Sequence, residues 1–185
     1  MSQIKKIADK QIKVQKPDAN LSTFGFLLSS IIQYHSSKKR NVEDELKSMG
    51  EGIGVRLLEL IYFRNNKLKK ETKHLDMIQF IANTVWKTLF GKNADGIFPQ
   101  QDQKYGYLIR DDNPTVLRYI SEVQGQSGAA LVSGIIQGIL NHSGFEAEVV
   151  HDTVYEDNEN NEEVSKYPAT FFSINFAPYV VEREK

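Results

Sequence analysis

The most apolar segment of the chain reads SGAALVSGIIQGIL and runs from Ser127 to Leu140. Apolar residues lie nearly all round a helix drawn on it, as in helices buried inside a protein core. The small residues Ala130, Gly134 and Gly138 recur every four positions and so share one face. Because a face without side chains lets two backbones approach closely, we predict a central helix packed tightly against a neighbour. Residues 128–140 are too few to span a bilayer, which requires roughly 20 residues.

Two amphipathic helices are predicted before this stretch. The first begins at the candidate N-cap Asn20 and runs to about His35, and the second follows Asn41, another candidate cap. Their apolar positions recur every three or four residues: Leu21, Phe24, Leu28, Ile31 and Ile32, then Val42, Leu46, Met49, Ile53, Leu57 and Leu60. Glycines crowd residues 50–54 of the second helix. We expect a break or kink there, with the same face buried on both sides.

The remaining elements are one further helix and three strands. Residues 75–89 have helical periodicity, and Gly91 is placed to end that helix. Apolar and polar residues alternate as in strands at 105–110, 145–152 and 172–176. The order of elements predicts an α+β domain whose helices pack on one side of a small antiparallel sheet.

The 185 residues fit a single domain. Residues 1–18 are rich in lysine and lack an apolar run, so we expect a mobile basic arm, with one α+β domain over 19–185. The arm does not resemble a secretory signal peptide, which predicts a cytosolic chain. Residues 156–163 are acidic and rich in asparagine, and we expect them to form an exposed loop.

Composition excludes several classes of function. The net charge of -1 gives no bias towards nucleic acid, and the absence of cysteine excludes disulfides, thiolate chemistry and an acyl thioester on this chain. The histidines His35, His74, His142 and His151 lie in separate segments without a catalytic or metal-binding motif around them. The glycines of 50–54 follow a helical pattern, whereas a dinucleotide site needs a preceding strand. We therefore predict no catalytic residue, cofactor or metal.

Several short motifs together carry a family resemblance. They are Met49-Gly50, Gly54–Glu59, Trp86–Gly91, Asp112-Asn113-Pro114 and Gly134–Gly138. On these motifs residues 21–176 resemble the TRAPP small-subunit family. The longest similar segment, residues 71–86, points to one branch of that family.

The resemblance implies a Bet-three-like fold and a non-catalytic scaffold role in the TRAPP vesicle-tethering complex. That complex is a guanine-nucleotide exchange factor for a Rab-family GTPase in ER-to-Golgi transport, which this chain would contact only indirectly. The expected partners are the acylated core subunit, met through the first two helices, and a sedlin-like subunit. The expected location is peripheral, at ER and cis-Golgi membranes.

The first two helices hold more apolar positions than one small sheet can cover, so we predict that they form a protein interface. The predicted interface residues are Leu21, Phe24, Leu28, Ile31, Leu46, Ile53, Leu57 and Leu60. The alternative is a module that binds a lipid or acyl chain non-covalently. Such a module needs a deep apolar tunnel, whereas the small residues of the central helix favour close packing.

Overall fold

The computed structural model describes residues 20–65, 70–100, 105–117, 127–154 and 169–184. Its helices are α1 (Leu21–Ser37), α2 (Val42–Arg64), α3 (His74–Phe80), α4 (Trp86–Phe90), α5 (Ala129–His142) and α6 (Pro178–Glu182). Its strands are β1 (Gly96–Pro99), β2 (Gly106–Asp111), β3 (Ala147–Val154) and β4 (Ala169–Phe176). A π-helical turn, Ile81–Val85, joins α3 to α4, and a 3-10 turn occupies Thr115–Leu117. The predicted arm and the acidic loop lie outside the described residues.

The helix boundaries follow the capping residues seen in the sequence. The side chains of Asn20 and Asn41 accept hydrogen bonds from the backbone N–H groups of Ser22 and Glu43, each at 3.1 Å. Gly91 ends α4 with a φ of 76°, a left-handed conformation that favours glycine. These three predicted boundaries are confirmed.

The four strands form one antiparallel sheet in the order β1-β2-β4-β3. The predicted α+β class is confirmed, since the helices cover one face of this sheet. Strand β1 was not predicted, because its four residues begin with glycine and end with proline, which are both poor strand formers. Its Ile97 pairs with Ile109, which pairs in turn with Phe172, so the inner face forms a continuous apolar row.

The central contact of the fold joins α2 to α5. A Cβ atom placed on Gly134 or Gly138 would lie closer than 3.0 Å to the backbone carbonyl oxygen of Lys47 or Glu51. The prediction that these two glycines lie against another backbone is therefore confirmed. Residues further along α2 contact residues further along α5, so the two helices run side by side in the same direction.

Helix α2 contributes its own glycines to this contact. A Cβ on Gly50 or Gly54 would lie closer than 3.0 Å to the carbonyl oxygen of Leu131 or Ile135. The expected break in the helix is wrong, because α2 is continuous from Val42 to Arg64. Close packing against α5 offsets the low helix propensity of these two glycines.

A buried carboxylate ties the helices to the sheet. Asp111 accepts hydrogen bonds from the indole N–H of Trp86 at 3.2 Å, from Lys92 Nζ at 2.5 Å and from the N–H of Asn113 at 3.1 Å. The turn that follows β2 accounts only for the bond from Asn113. The other two bonds join residues that are distant in sequence and position Trp86 in the core.

Among the described residues, no helix combines the length and the apolar character that crossing a membrane requires.

Candidate interaction surface

Helix α2 carries two apolar stripes that lie one residue apart. The first stripe is buried against the rest of the domain: Val42, Leu46, Gly50, Gly54, Leu58 and Ile61. The second points further outward: Met49, Ile53, Leu57 and Leu60. The expectation that one face stays buried along the whole helix is therefore wrong from Met49 onward. Glycine occupies the core positions 50 and 54. The large apolar residues in this part of the helix therefore lie in the second stripe.

Large apolar side chains of α2 remain in contact with solvent. Met49, Ile53 and Leu60 are each about two-fifths exposed, and Phe63 is 83% exposed. Exposed apolar residues that occur singly are ordinary, but a row along one side of a helix is typical of an interaction site. This part of α2 therefore has the properties of an interaction site.

Helix α1 is even less covered. Of its 17 residues only Gly25 and Leu28 are buried. Phe26 is 76% exposed and Leu27 is 59% exposed, and Tyr34 is also exposed. We group these residues with the exposed apolar residues of α2 under the name outer helical surface: Phe26, Leu27, Tyr34, Met49, Ile53, Leu60 and Phe63.

The predicted interface residues fall into three groups. Leu28 and Leu46 are each 1% exposed and belong to the hydrophobic core of this chain, so they are not accessible to a partner in this conformation. Four of the eight are half-buried: Leu21, Phe24, Ile31 and Leu57. Ile53 and Leu60 alone among them are members of the outer helical surface.

Five members of the outer helical surface are not among the predicted interface residues: Phe26, Leu27, Tyr34, Met49 and Phe63. Periodicity identifies apolar positions but does not say which stripe the fold covers. One signal was available in α2, because Leu57-Leu58 and Leu60-Ile61 each place two apolar residues side by side. Such doublets indicate two apolar stripes, one for the core and one for a second contact.

Two ion pairs involve glutamates of α2. Arg40 Nη1 lies 3.1 Å from Glu45 Oε1, and His142 Nε2 of α5 lies 3.8 Å from Glu59 Oε1.

The described residues hold no cluster of three or more histidine, aspartate or glutamate side chains placed to bind a metal ion. The histidines stay apart, as His74 contacts Glu184 while His151 lies 3.7 Å from Glu43. A groove of about 270 Å³ on α1 is lined by Ser22, Gly25, Phe26 and Ser29. It is an open groove on the helix surface and not a tunnel into the core.

Comparison with known proteins identifies close relatives of the whole chain. The model of the transport protein particle (TRAPP) component family matches residues 24–171. The chain is 38% identical over 183 residues to trafficking protein particle complex subunit 5 of Dictyostelium discoideum, covering 96% of this chain and 95% of the relative. It is 30% identical over 149 residues to the human protein of the same name, covering 77% and 79%. These names confirm the branch to which residues 71–86 point, the subunit-five or Trs-thirty-one type.

A solved structure shares the fold. It is that of trafficking protein particle complex subunit 3 from Naegleria fowleri, covalently bound to palmitic acid. The TM-score is 0.64 at 14% sequence identity, over 85% of this chain and 95% of that chain. This likeness confirms the predicted Bet-three-like fold.

Proposed function

Because this chain belongs to the family of transport protein particle (TRAPP) components, we propose that it is a non-catalytic scaffold subunit of the TRAPP vesicle-tethering complex. Membership makes it a subunit of a trafficking complex. The scaffold role goes further and rests on the outer helical surface. The chain holds its neighbours in place, and the assembled complex acts as a guanine-nucleotide exchange factor for a Rab-family GTPase in ER-to-Golgi transport.

The observation that carries this proposal is the exposed apolar surface of α1 and α2. Phe26 and Phe63 are the most exposed large apolar side chains on it. Aromatic side chains are enriched among the residues that dominate binding at interfaces. The partner on this surface is another small subunit of the complex, the acylated core subunit, while the sedlin-like subunit binds elsewhere on the chain.

A glycine on the outside of α2 supports the same surface. Apart from the adjacent backbone of α2, a Cβ on Gly52 would meet no atom of the described residues within 4 Å, so the described part of the fold does not require glycine there. Glycine inside a helix costs about 1 kcal/mol relative to alanine. This cost would be explained if the backbone of a partner approached α2 closely at Gly52, because a side chain there would then obstruct the contact.

The alternative function, non-covalent binding of a lipid or acyl chain, has less support. The backbone contact between α2 and α5 fills the space that a tunnel between these helices would occupy. Without cysteine, the chain also has no residue that could hold an acyl thioester. Membrane association therefore comes from the complex as a whole, which is peripheral at ER and cis-Golgi membranes.

The experiment that tests the scaffold role is reconstitution of the complex with and without this chain. Release of a fluorescent nucleotide from the Rab GTPase is measured for the chain alone, for the full complex and for the complex lacking the chain. We expect the intrinsic rate with the chain alone, since reshaping the switch loops needs a composite surface. Omitting the chain should lower assembly and exchange together.

Two results would contradict the proposal. Faster nucleotide release with the chain alone would assign it a catalytic role. Full assembly and full exchange without the chain would show that it does not hold the complex together. Acyl-chain binding is tested separately by incubating the chain with a spin-labelled fatty acid, and saturable binding by the chain would favour the alternative.

A further inference from the structure

The segment after β4 folds back across the domain and reaches the beginning of α3. Ala177 donates its N–H to the carbonyl oxygen of Glu146 at 2.9 Å, and α6 follows. Val180 is fully buried, whereas Tyr179 is 52% exposed. The guanidinium of Arg183 lies 4.9 Å from the centre of the Phe145 ring. The segment therefore lies on the surface with one apolar side chain inserted into the core.

The carboxylate of Glu184 connects this segment to His74. Glu184 Oε1 accepts the backbone N–H of His74 at 2.6 Å, and Glu184 Oε2 lies 2.5 Å from His74 Nδ1. The residue that precedes α3, Lys73, makes no capping hydrogen bond with its side chain. Glu184 thus supplies the acceptor that a residue next to the helix would normally supply.

The same contact closes an aromatic cluster. His74 Nε2 lies 3.1 Å from the hydroxyl of Tyr107, and the His74 ring meets the Phe176 ring edge to face at 5.6 Å. Glu184 holds the opposite side of the imidazole. If this carboxylate left, the imidazole would lose one of its two polar partners and the start of α3 would lose its acceptor.

We propose that residues 178–184 form a strap that detaches as a unit, with Glu184 as its latch on His74. Four contacts hold the strap. Val180 inserts into the core, the Tyr179 hydroxyl donates to Glu146 at 2.5 Å, Arg183 lies over the Phe145 ring and Glu184 closes over His74. The core contact between α2 and α5 does not involve the strap. Opening the strap therefore exposes the His74–Tyr107–Phe176 cluster and frees the first turn of α3 while the rest of the domain stays folded.

The test compares Glu184→Ala with Glu182→Ala in the full chain. Glu182 is exposed on α6, so its loss serves as the matched control. Exchange of the His74 amide with deuterium, followed by NMR, should be about tenfold faster in Glu184→Ala and unchanged in Glu182→Ala. Chymotrypsin should also cleave after Tyr179, an exposed residue of the strap, faster in Glu184→Ala than in the wild type. Amide exchange in α5, for example at Ile136, should stay at the wild-type rate.

Two outcomes would overturn the proposal. Wild-type exchange at His74 together with wild-type cleavage after Tyr179 would show that Glu184 is not a latch. Equal acceleration at His74 and Ile136 would show that the segment belongs to the cooperative core and does not detach. The milder variant Glu184→Gln keeps one acceptor oxygen and removes the charge, so it must also exchange faster at His74 than the wild type if the latch exists.

Discussion

Gly50, Gly52 and Gly54 occupy alternate positions of α2, yet only the outer two of these three lie against α5. A Cβ on Gly54 would overlap the backbone of Ile135, whereas a Cβ on Gly52 would meet no other element of the described structure within 4 Å. Backbone cannot move aside as a flexible side chain can. Replacing glycine with alanine should therefore have opposite effects on the free energy of unfolding at Gly54 and at Gly52.

We expect Gly54→Ala to lower the free energy of unfolding by about 1 to 3 kcal/mol, the usual cost of overpacking. Gly52→Ala should raise it by up to about 1 kcal/mol, because alanine is the better helix former and the space is open. Urea denaturation of both variants and the wild type measures the difference. Equal effects at the two positions would contradict the close contact between α2 and α5.

The ion-pair network beside Asp111 should make stability depend on pH. Partial burial acts to raise the pKa of Asp95, but hydrogen bonds from Asp112 N–H and Lys92 and the charge of Lys92 outweigh it, so this pKa lies below 3.8. Burial likewise acts to lower the pKa of Lys92. Its hydrogen bonds and attraction to Asp111 and Asp95 outweigh this effect and raise that pKa above 10.5.

The directions of these two pKa shifts determine how stability should change with pH. Asp95 contributes stability above pH 3.8, and this contribution is lost as pH falls through its lower folded-state pKa. Lys92 contributes below pH 10.5 and loses its contribution as pH rises through its higher folded-state pKa. Asp95→Asn should therefore destabilise the chain near neutral pH and approach the wild type in acid.

Urea midpoints between about pH 2 and pH 7 measure this convergence. Asp152→Asn, which changes an exposed carboxylate on β3, serves as the control and should run parallel to the wild type. If the urea midpoints of the wild type and Asp95→Asn differ by the same amount at every pH, the Asp95 carboxylate does not stabilise the chain through its charge.

At the scale of elements, the pairing of α2 with α5 governs stability. Gly138→Leu would drive a side chain into the backbone of Glu51 and separate the two helices. We expect the free energy of unfolding to fall by at least about 1 to 3 kcal/mol. His142→Leu changes an exposed residue of the same helix and should stay within about 0.5 kcal/mol of the wild type. Thermal or urea unfolding that does not separate these two variants would contradict the role of α5.

At the scale of the whole molecule, the outer helical surface should make the purified chain self-associate or dissolve poorly. Ile53→Glu and Leu60→Glu together should shift it towards the monomer, because a charge at an apolar contact is costly to desolvate. Val150→Glu changes a similarly exposed apolar residue on β3 and should leave association unchanged. Analytical ultracentrifugation measures the distribution, and a wild-type chain that stays monomeric and soluble would count against the surface.

Local sequence patterns were sufficient to predict most of the elements and the class of fold, although β1 and α6 were missed. Asn20, Asn41 and Gly91 act through contacts within a few residues, so their local pattern was sufficient to place helix ends. Alternation along 105–110, 145–152 and 172–176 was likewise a local signal of strands. The spacing of Gly134 and Gly138 even predicted a close backbone contact.

Only the tertiary structure decided which apolar stripe of α2 is covered. Leu46 and Met49 belong to one periodic pattern, yet Leu46 is buried and Met49 is exposed because α5 packs against the glycine stripe beside them. The identity of a neighbour is set by contacts between residues far apart in sequence. Periodicity carries no information about such contacts, which is why it placed Leu28 and Leu46 at an interface although they lie in the core, and why it missed the exposed Phe63.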